Sequence, residues 1–263
     1  VAVADSLEEE DSAADWVAEV LVVEELEVAG NMEDILFIDI ETVPQEPSYA
    51  DLDDRWRKLW DHKATSLARN EETPEELYPR AGIYAEFGKV ICISAGFISS
   101  TGDKRELRIK SFYGHDEKQL LTDFCSLLDQ SYFAQSHFLC AHNGKEFDFP
   151  YLCRRILVNE LPMPGILDLA GKKPWEVKHL DTLQLWKFGD YKSYTSLNLL
   201  AALFNIPSPK DDLDGSMIKD VYYLDENLER IKEYCQKDVT VLASIFLRMN
   251  NFPVLIEEEV KIV

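Results

Sequence analysis

Ile35-Leu-Phe-Ile-Asp-Ile-Glu-Thr-Val43 is an apolar run that ends in two carboxylates one residue apart. A run of Ile, Leu and Phe closed by Pro44 reads as a strand buried on both faces. Alternate side chains of a strand share a face, so Asp39 and Glu41 point the same way. Two like charges at the end of a buried strand are costly unless a cation lies between them. The plain alternative is a strand running out into solvent. The choice turns on whether the rest of the chain supplies further carboxylates and a way to handle a substrate.

Downstream, Gln45 to Gly82 is polar and shows no strand pattern. Leu52, Trp56, Leu59, Trp60 and Lys63 fall at helical spacing, which predicts a helical insertion over about 45–85. Gly88 to Ile98 reads as a buried strand, Ser99 to Lys104 as a turn, and Glu106 to Tyr113 as the hairpin partner. Asp116 to Tyr132 carries Leu120, Leu121, Phe124, Leu127 and Leu128 at helical spacing, and Phe138-Leu-Cys-Ala141 is a short buried strand. A helical pattern returns over Phe147 to Leu157, and Lys178 to Thr182 reads as a strand end. Leu197 to Phe204 forms a helix closed by the Ile206-Pro-Ser-Pro209 turn, and a last long helix runs from about Asn227 to Met249. This order describes a mixed α/β domain over 32–250, beginning with antiparallel neighbours and followed by a C-terminal tail at 251–263.

The formal charge of −22 is unevenly spread. Residues 1–31 hold ten acids and no Lys or Arg; without them, 39 acids face 27 bases, a net −12. We expect this segment to be an acidic appendage, helical or disordered, with Met32 marking a native start directly before the first strand. The remaining negative charge argues against a broad basic surface for nucleic acid, but not against an enzyme that grips a few phosphates through metal ions. No apolar run reaches the roughly 18 residues of a membrane span, and no signal-peptide order is present. Five scattered cysteines without metal spacing favour reduced thiols and a cytoplasmic setting.

Two more stretches carry carboxylates. Ala141-His-Asn-Gly-Lys-Glu-Phe-Asp-Phe-Pro-Tyr151 leaves a buried strand and enters a helix, a place where side chains reach a shared cleft. Asp148 lies near the start of that helix, where a charge can also be merely favoured by the first turn. In Tyr234-Cys-Gln-Lys-Asp238, positions i and i+4 of a helix bring Tyr234 and Asp238 to one face. An amphipathic helix with a solvated Asp is the plain alternative. Together Asp39, Glu41, Asp148 and Asp238 suffice to hold two hard cations by oxygen ligands, Mg²⁺ or Mn²⁺.

The order D-x-E, then N-x-x-x-F-D, then Y-x-x-x-D resembles the three motifs of the DEDD 3′→5′ exonucleases, in the Tyr-bearing subclass. Asp39-Ile-Glu-Thr42 and Tyr234-Cys-Gln-Lys-Asp238 are similar to the proofreading domains of family B DNA polymerases. Tyr84-Ala-Glu-Phe-Gly-Lys-Val-Ile-Cys-Ile-Ser and Asp211-Asp-Leu-Asp-Gly-Ser216 resemble a stand-alone bacterial branch predicted to be 3′→5′ exonucleases. The resemblance covers roughly residues 34–250. It implies a ribonuclease H-like fold with a five-stranded mixed sheet of order 3-2-1-4-5 flanked by helices. It implies metal ligation by Asp39, Glu41, Asp148 and Asp238, orientation of the attacking water by Tyr234, and contact of Asn143 with the terminal nucleotide. Ile40, Thr42 and Phe147 join the expected substrate contacts, Phe147 as a wedge against the terminal base. The long 44–88 stretch departs from the minimal pattern and bears on how substrate enters.

The expected reaction is hydrolysis of a single-stranded 3′ end, DNA in the first instance and RNA as the alternative, to nucleoside 5′-monophosphates. Trp186, Phe188, Tyr191 and Tyr194, with Lys187 and Lys192, form a candidate strand-binding lip, against the alternative of aromatics closing a core edge. Arg154-Arg155 and Lys172-Lys173 read as solvated charge, with phosphate contact as the functional alternative. His142 reads as structural. No polymerase domain fits in the remaining residues, so a proofreading or DNA repair role would need a partner in trans. Rival readings are a silent nucleic-acid-binding module and a ribonuclease H-like endonuclease or resolvase, which the Y-x-x-x-D helix does not suit.

Overall fold

The computed structural model describes residues 32–69, 71–101, 104–190, 194–207 and 213–263. The acidic segment 1–31, Tyr191 and Lys192 of the expected lip, and Asp211 lie outside the described residues. Six strands form one mixed sheet: β1 (Ile35–Pro44), β2 (Gly88–Thr101), β3 (Lys104–Tyr113), β4 (Phe138–Ala141), β5 (Leu180–Asp181) and β6 (Val260–Ile262). Their spatial order is β5-β4-β1-β2-β3-β6. β2 runs antiparallel to β1 and β3, while β1–β4, β4–β5 and β3–β6 are parallel.

The expected order 3-2-1-4-5 is therefore present, and the expected count of five is corrected to six. The extra strand arises within 251–263, read from the sequence as a tail. Val260–Ile262 pairs with Leu107–Ile109. Arg105 secures the approach, donating to the carbonyls of Pro253 (2.8 Å) and Val254 (3.1 Å) and pairing with Glu259 at 2.9 Å. Three residues at an exposed edge give too little alternation to announce a strand.

The helices are α1 (Asp54–Leu67), α2 (Pro74–Leu77), α3 (Glu117–Ser131), α4 (Asp148–Val158), α5 (Thr182–Lys187), α6 (Leu197–Leu203), α7 (Ile218–Tyr223) and α8 (Leu228–Met249). The central strand is sandwiched, as its unbroken apolar run requires. Leu36, Ile38 and Ile40 pack on Leu120, Leu121 and Phe124 of α3 and Phe149, Leu152 and Ile156 of α4. Ile35 and Phe37 face Val239, Leu242, Ala243 and Phe246 of α8. Mixed strand directions with helices on both faces agree with the expected ribonuclease H-like fold.

The described residues of the 45–85 stretch include α1 and α2 and carry a small core of their own, Leu52, Trp60, Ala64, Leu77, Tyr78 and Ala81. Trp60 is fully buried and its indole N–H donates to the Pro74 carbonyl at 2.7 Å. Tyr151 of α4 ties this unit to the sheet by donating to the Gly82 carbonyl at 2.8 Å. A Cβ on Gly88 would come within 2.3 Å of the Tyr151 hydroxyl oxygen, so glycine is what lets this link form.

Candidate active site

The site grows from the face of β1 that turns toward α8. Ile35 and Phe37 lie in the apolar cluster beneath α8, so the alternation of the strand sends Asp39 and Glu41 to the same side. Gly96, opposite Phe37 on β2, lets α8 come close, because a Cβ there would meet Val239 Cγ1 at 2.9 Å. Val239 follows Asp238 directly, so this close approach also lowers Asp238 and Tyr234 toward the two strand carboxylates. Asn227 caps α8 by accepting from the Arg230 N–H at 3.1 Å, which fixes where the helix begins. Cys235, one position after Tyr234, is fully buried and donates from Sγ to the Asp39 carbonyl at 3.4 Å. Donor atoms of Asp39, Glu41 and Cys235 all lie within 4.8 Å of one another.

The electrostatics of this cluster are one-sided. Burial pushes the Asp39 carboxyl well above the usual carboxylate range, and the charges of Asp238 and Asp148 push it further. Glu41 is raised in the same way, by burial first and then by Asp39 and Asp238. Asp39 Oδ2 is shut off from solvent with no hydrogen-bond partner. Tyr234 is held as a neutral phenol, its pKa raised by burial, then by Asp238, Glu41 and Asp39, and its side chain is hydrogen-bonded to Asp238. Carboxylates this close, with one buried oxygen left without a partner, make up an oxygen donor set of the kind hard divalent cations take.

Asp148 reaches the cluster from α4, whose first residue it is. It is buried, and burial lifts its pKa to about 7, helped by Asp181 and opposed by hydrogen bonds from its own N–H and that of Ile40. Ile40 therefore meets the site through its main chain, while its side chain is buried in the core on the opposite face. Thr42 follows a register shift in β1 and hydrogen-bonds the Tyr151 hydroxyl, so it links the strand to α4. Phe147, half-buried before Asp148, packs its ring 5.4 Å from that of Tyr151.

Asn143 sits in the left-handed region, at φ 63°, in the turn between β4 and α4. Asp181 holds that turn, and sequence reading missed it. One oxygen accepts from the N–H groups of Asn143 (3.0 Å), Leu183 (2.9 Å) and Gln184 (3.3 Å), and the other from Lys145 (3.1 Å). The signal was available: an Asp directly before Thr182-Leu183 is an N-cap in waiting. Taken alone, however, that signal says nothing about a second turn 38 residues upstream.

The remaining expectations divide. Trp186 turns inward and stacks edge-on against Phe204 at 5.7 Å, so it closes a core edge and leaves the expected lip. Phe188 is 91% exposed, and Tyr194 is exposed beside His142, with ring centroids 6.3 Å apart. Arg155 is neither solvated nor available to phosphate. It is buried, with Nε and Nη2 on Glu117 at 2.8 and 2.5 Å and Nη1 on the Ala85 carbonyl at 2.9 Å. Arg154, Lys172 and Lys173 are exposed. All five cysteines are free, four of them buried.

With this geometry in view, residues 83–261 match the family described as predicted 3′-5′ exonucleases related to the exonuclease domain of PolB. The chain belongs to this family. Its matched span includes Asn143, Asp148, Tyr234 and Asp238 but leaves out β1; the fold alone brings Asp39 and Glu41 to the same cluster. No curated protein matches the chain. Among the described residues no helix is long and apolar enough to cross a membrane.

Proposed function

We propose that the protein is a 3′→5′ exonuclease of the Tyr-bearing DEDD kind, which removes nucleoside 5′-monophosphates from single-stranded 3′ ends, DNA in preference to RNA. One observation carries this reading. Burial and the charges of Asp238 and Asp148 raise the pKa of both Asp39 and Glu41 around a buried, unpartnered Asp39 oxygen, with Tyr234 at their edge. Asp39, Glu41, Asp148 and Asp238 would hold Mg²⁺ or Mn²⁺. Bound there, two such cations supply acidity to water and compensate charge on the attacking and leaving oxygens of displacement at phosphorus.

The chain's own groups have separate tasks. Tyr234, kept neutral and hydrogen-bonded to Asp238, presents a phenol that orients the attacking water without competing with it as an anion. The Ile40 N–H aims the Asp148 carboxylate, and Asn143, on the turn held by Asp181 just before Asp148, contacts the terminal sugar or base. Charge compensation inside the cleft also answers the net negative charge of the chain, since affinity does not have to come from a basic surface.

The test is digestion of matched 3′-labelled single-stranded DNA and RNA with Mg²⁺ or Mn²⁺, wild type against Asp39→Ala. Stepwise metal-dependent release of mononucleotides, abolished by the substitution, is the expected result. Full activity in Asp39→Ala, or cleavage of a circular strand, would overturn the reading, and faster digestion of RNA would reassign the substrate.

A further inference from the structure

We propose that Tyr194 is the platform on which the base of the 3′-terminal nucleotide stacks, and that His142 is the positioning residue that holds it at the cleft. This deepens the exonuclease reading and rests on it. Tyr194 is 66% exposed, an unusual station for a ring that also stands against a half-buried histidine. Its hydroxyl is close enough to Asp148 and Asp181 for both charges to raise its pKa, after burial. An open aromatic face thus stands against His142, in the turn that leads into Asp148.

What places the ring is a short relay of hydrogen bonds. The Thr195 carbonyl lies 2.8 Å from His142 Nε2, and a carbonyl can only accept, so that nitrogen carries the proton. Nδ1 then accepts from the Thr182 hydroxyl at 2.9 Å. Thr182 and Thr195 are both buried, so neither bond is contested by water. Burial also lowers the His142 pKa, which keeps this neutral tautomer. His142 precedes Asn143, whose N–H is fixed by Asp181. One turn therefore carries two adjacent residues with different partners: Asn143 is held by Asp181 through its N–H, and His142 pins the segment bearing Tyr194.

The chemistry of such a surface is base stacking. Every base offers a π-face, so a tyrosine platform accepts any terminal base without reading its identity. It gives nothing to a terminal sugar that lacks a base. Selection for a terminal nucleotide that keeps its base over an abasic one follows from the ring alone, with no hydrogen-bond readout.

The experiment uses the full chain and two single-stranded oligodeoxynucleotides, one ending in a natural nucleotide and one in a 3′-terminal abasic unit. Removal of the terminal residue is followed under steady state for wild type, Tyr194→Ala, Tyr194→Leu, Tyr194→Phe, His142→Ala and His142→Gln. For Tyr194→Ala we expect KM on the natural end to rise by roughly 5- to 100-fold, with the loss falling on KM rather than kcat. Wild type should show a comparable rise on the abasic end, and Tyr194→Ala no further rise there. Tyr194→Phe, which keeps the ring, should recover most of the loss, and Tyr194→Leu little of it. His142→Ala should follow Tyr194→Ala, with partial rescue by His142→Gln, whose amide can still donate to Thr195. The wild-type comparison of the two ends needs no variant, so the proposal stays exposed even if a substitution unfolds the chain. Equal KM values for the two ends in wild type, or an equal loss on both ends in Tyr194→Ala, would overturn the platform. Wild-type protein that leaves both oligonucleotides intact would overturn the exonuclease reading itself, and the platform with it.

Discussion

Replacing Asp148 with asparagine, in protein stripped of divalent cations, should flatten the dependence of stability on pH. Burial raises the Asp148 carboxyl from 3.8 to about 7, with Asp181 adding and two backbone N–H groups opposing. An acid whose pKa rises on folding binds protons more tightly in the folded state. Its cost is therefore absent below pH 4, grows as the pH rises, and is complete above pH 7. A rise of about three pH units at roughly 1.36 kcal/mol each makes that cost about 4 kcal/mol. About 1.6 kcal/mol of it is already present at pH 5, so about 2.5 kcal/mol separates pH 5 from pH 8. Asparagine cannot ionise and loses this share, whatever fixed cost its altered hydrogen bonds to Ile40 and its own N–H impose. For a domain of this size, 1 kcal/mol moves the melting temperature by about 2–4 °C. The melting temperature of Asp148→Asn relative to wild type should therefore climb by roughly 5–10 °C between pH 5 and pH 8. Thermal melts in EDTA, followed by circular dichroism at several pH values, measure it. Parallel pH profiles for the two proteins would refute the reasoning, because Asp148 would then not be a carboxylate held against its ionisation.

Other outcomes follow from the same structure. Arg155→Met should destabilise the fold by about 3–5 kcal/mol, because Glu117 is left as an unpaired buried charge, and adding Glu117→Leu should recover much of it; denaturant melts of the single and double variants decide this. Gly88→Ala should cost about 1–3 kcal/mol, since its Cβ would lie 2.3 Å from the Tyr151 hydroxyl and 2.7 Å from the Gly82 carbonyl; Tyr151→Phe in that background should recover part of the loss. Added Mg²⁺ at about 100 times its dissociation constant should stabilise wild type by about 2.7 kcal/mol and Asp39→Ala much less; equal shifts in a thermal melt would remove Asp39 from the ligands. Tyr234→Phe should lower the exonuclease rate by roughly 10²-fold, less than Asp39→Ala, and a loss as large as that of Asp39→Ala would assign Tyr234 a different task.

Much of the site was legible because its parts obey local rules. The strand alternation of β1 and the i, i+4 spacing in α8 each orient two side chains without reference to the rest of the fold. Asp148 could be placed at a helix start for the same reason. Arg155 shows the opposite case: next to Arg154 on an amphipathic helix it reads as a surface charge, and only the arrival of Glu117 from α3 makes it a buried one. Trp186 was drawn into a core by Phe204, and Asp181 was raised from a strand end to the anchor of the Asn143 turn.

By itself, then, the sequence determined which residues could act and on which face of its own element each would stand, since helix and strand periodicity are properties of a few consecutive residues. The pairing of faces belongs to the tertiary structure. Gly96 admits α8 to the sheet so that Asp238 and Tyr234 meet Asp39 and Glu41, and His142 reaches across to fix Thr195. These contacts join residues far apart in the chain, and they depend on shape complementarity between packed elements that no local pattern records.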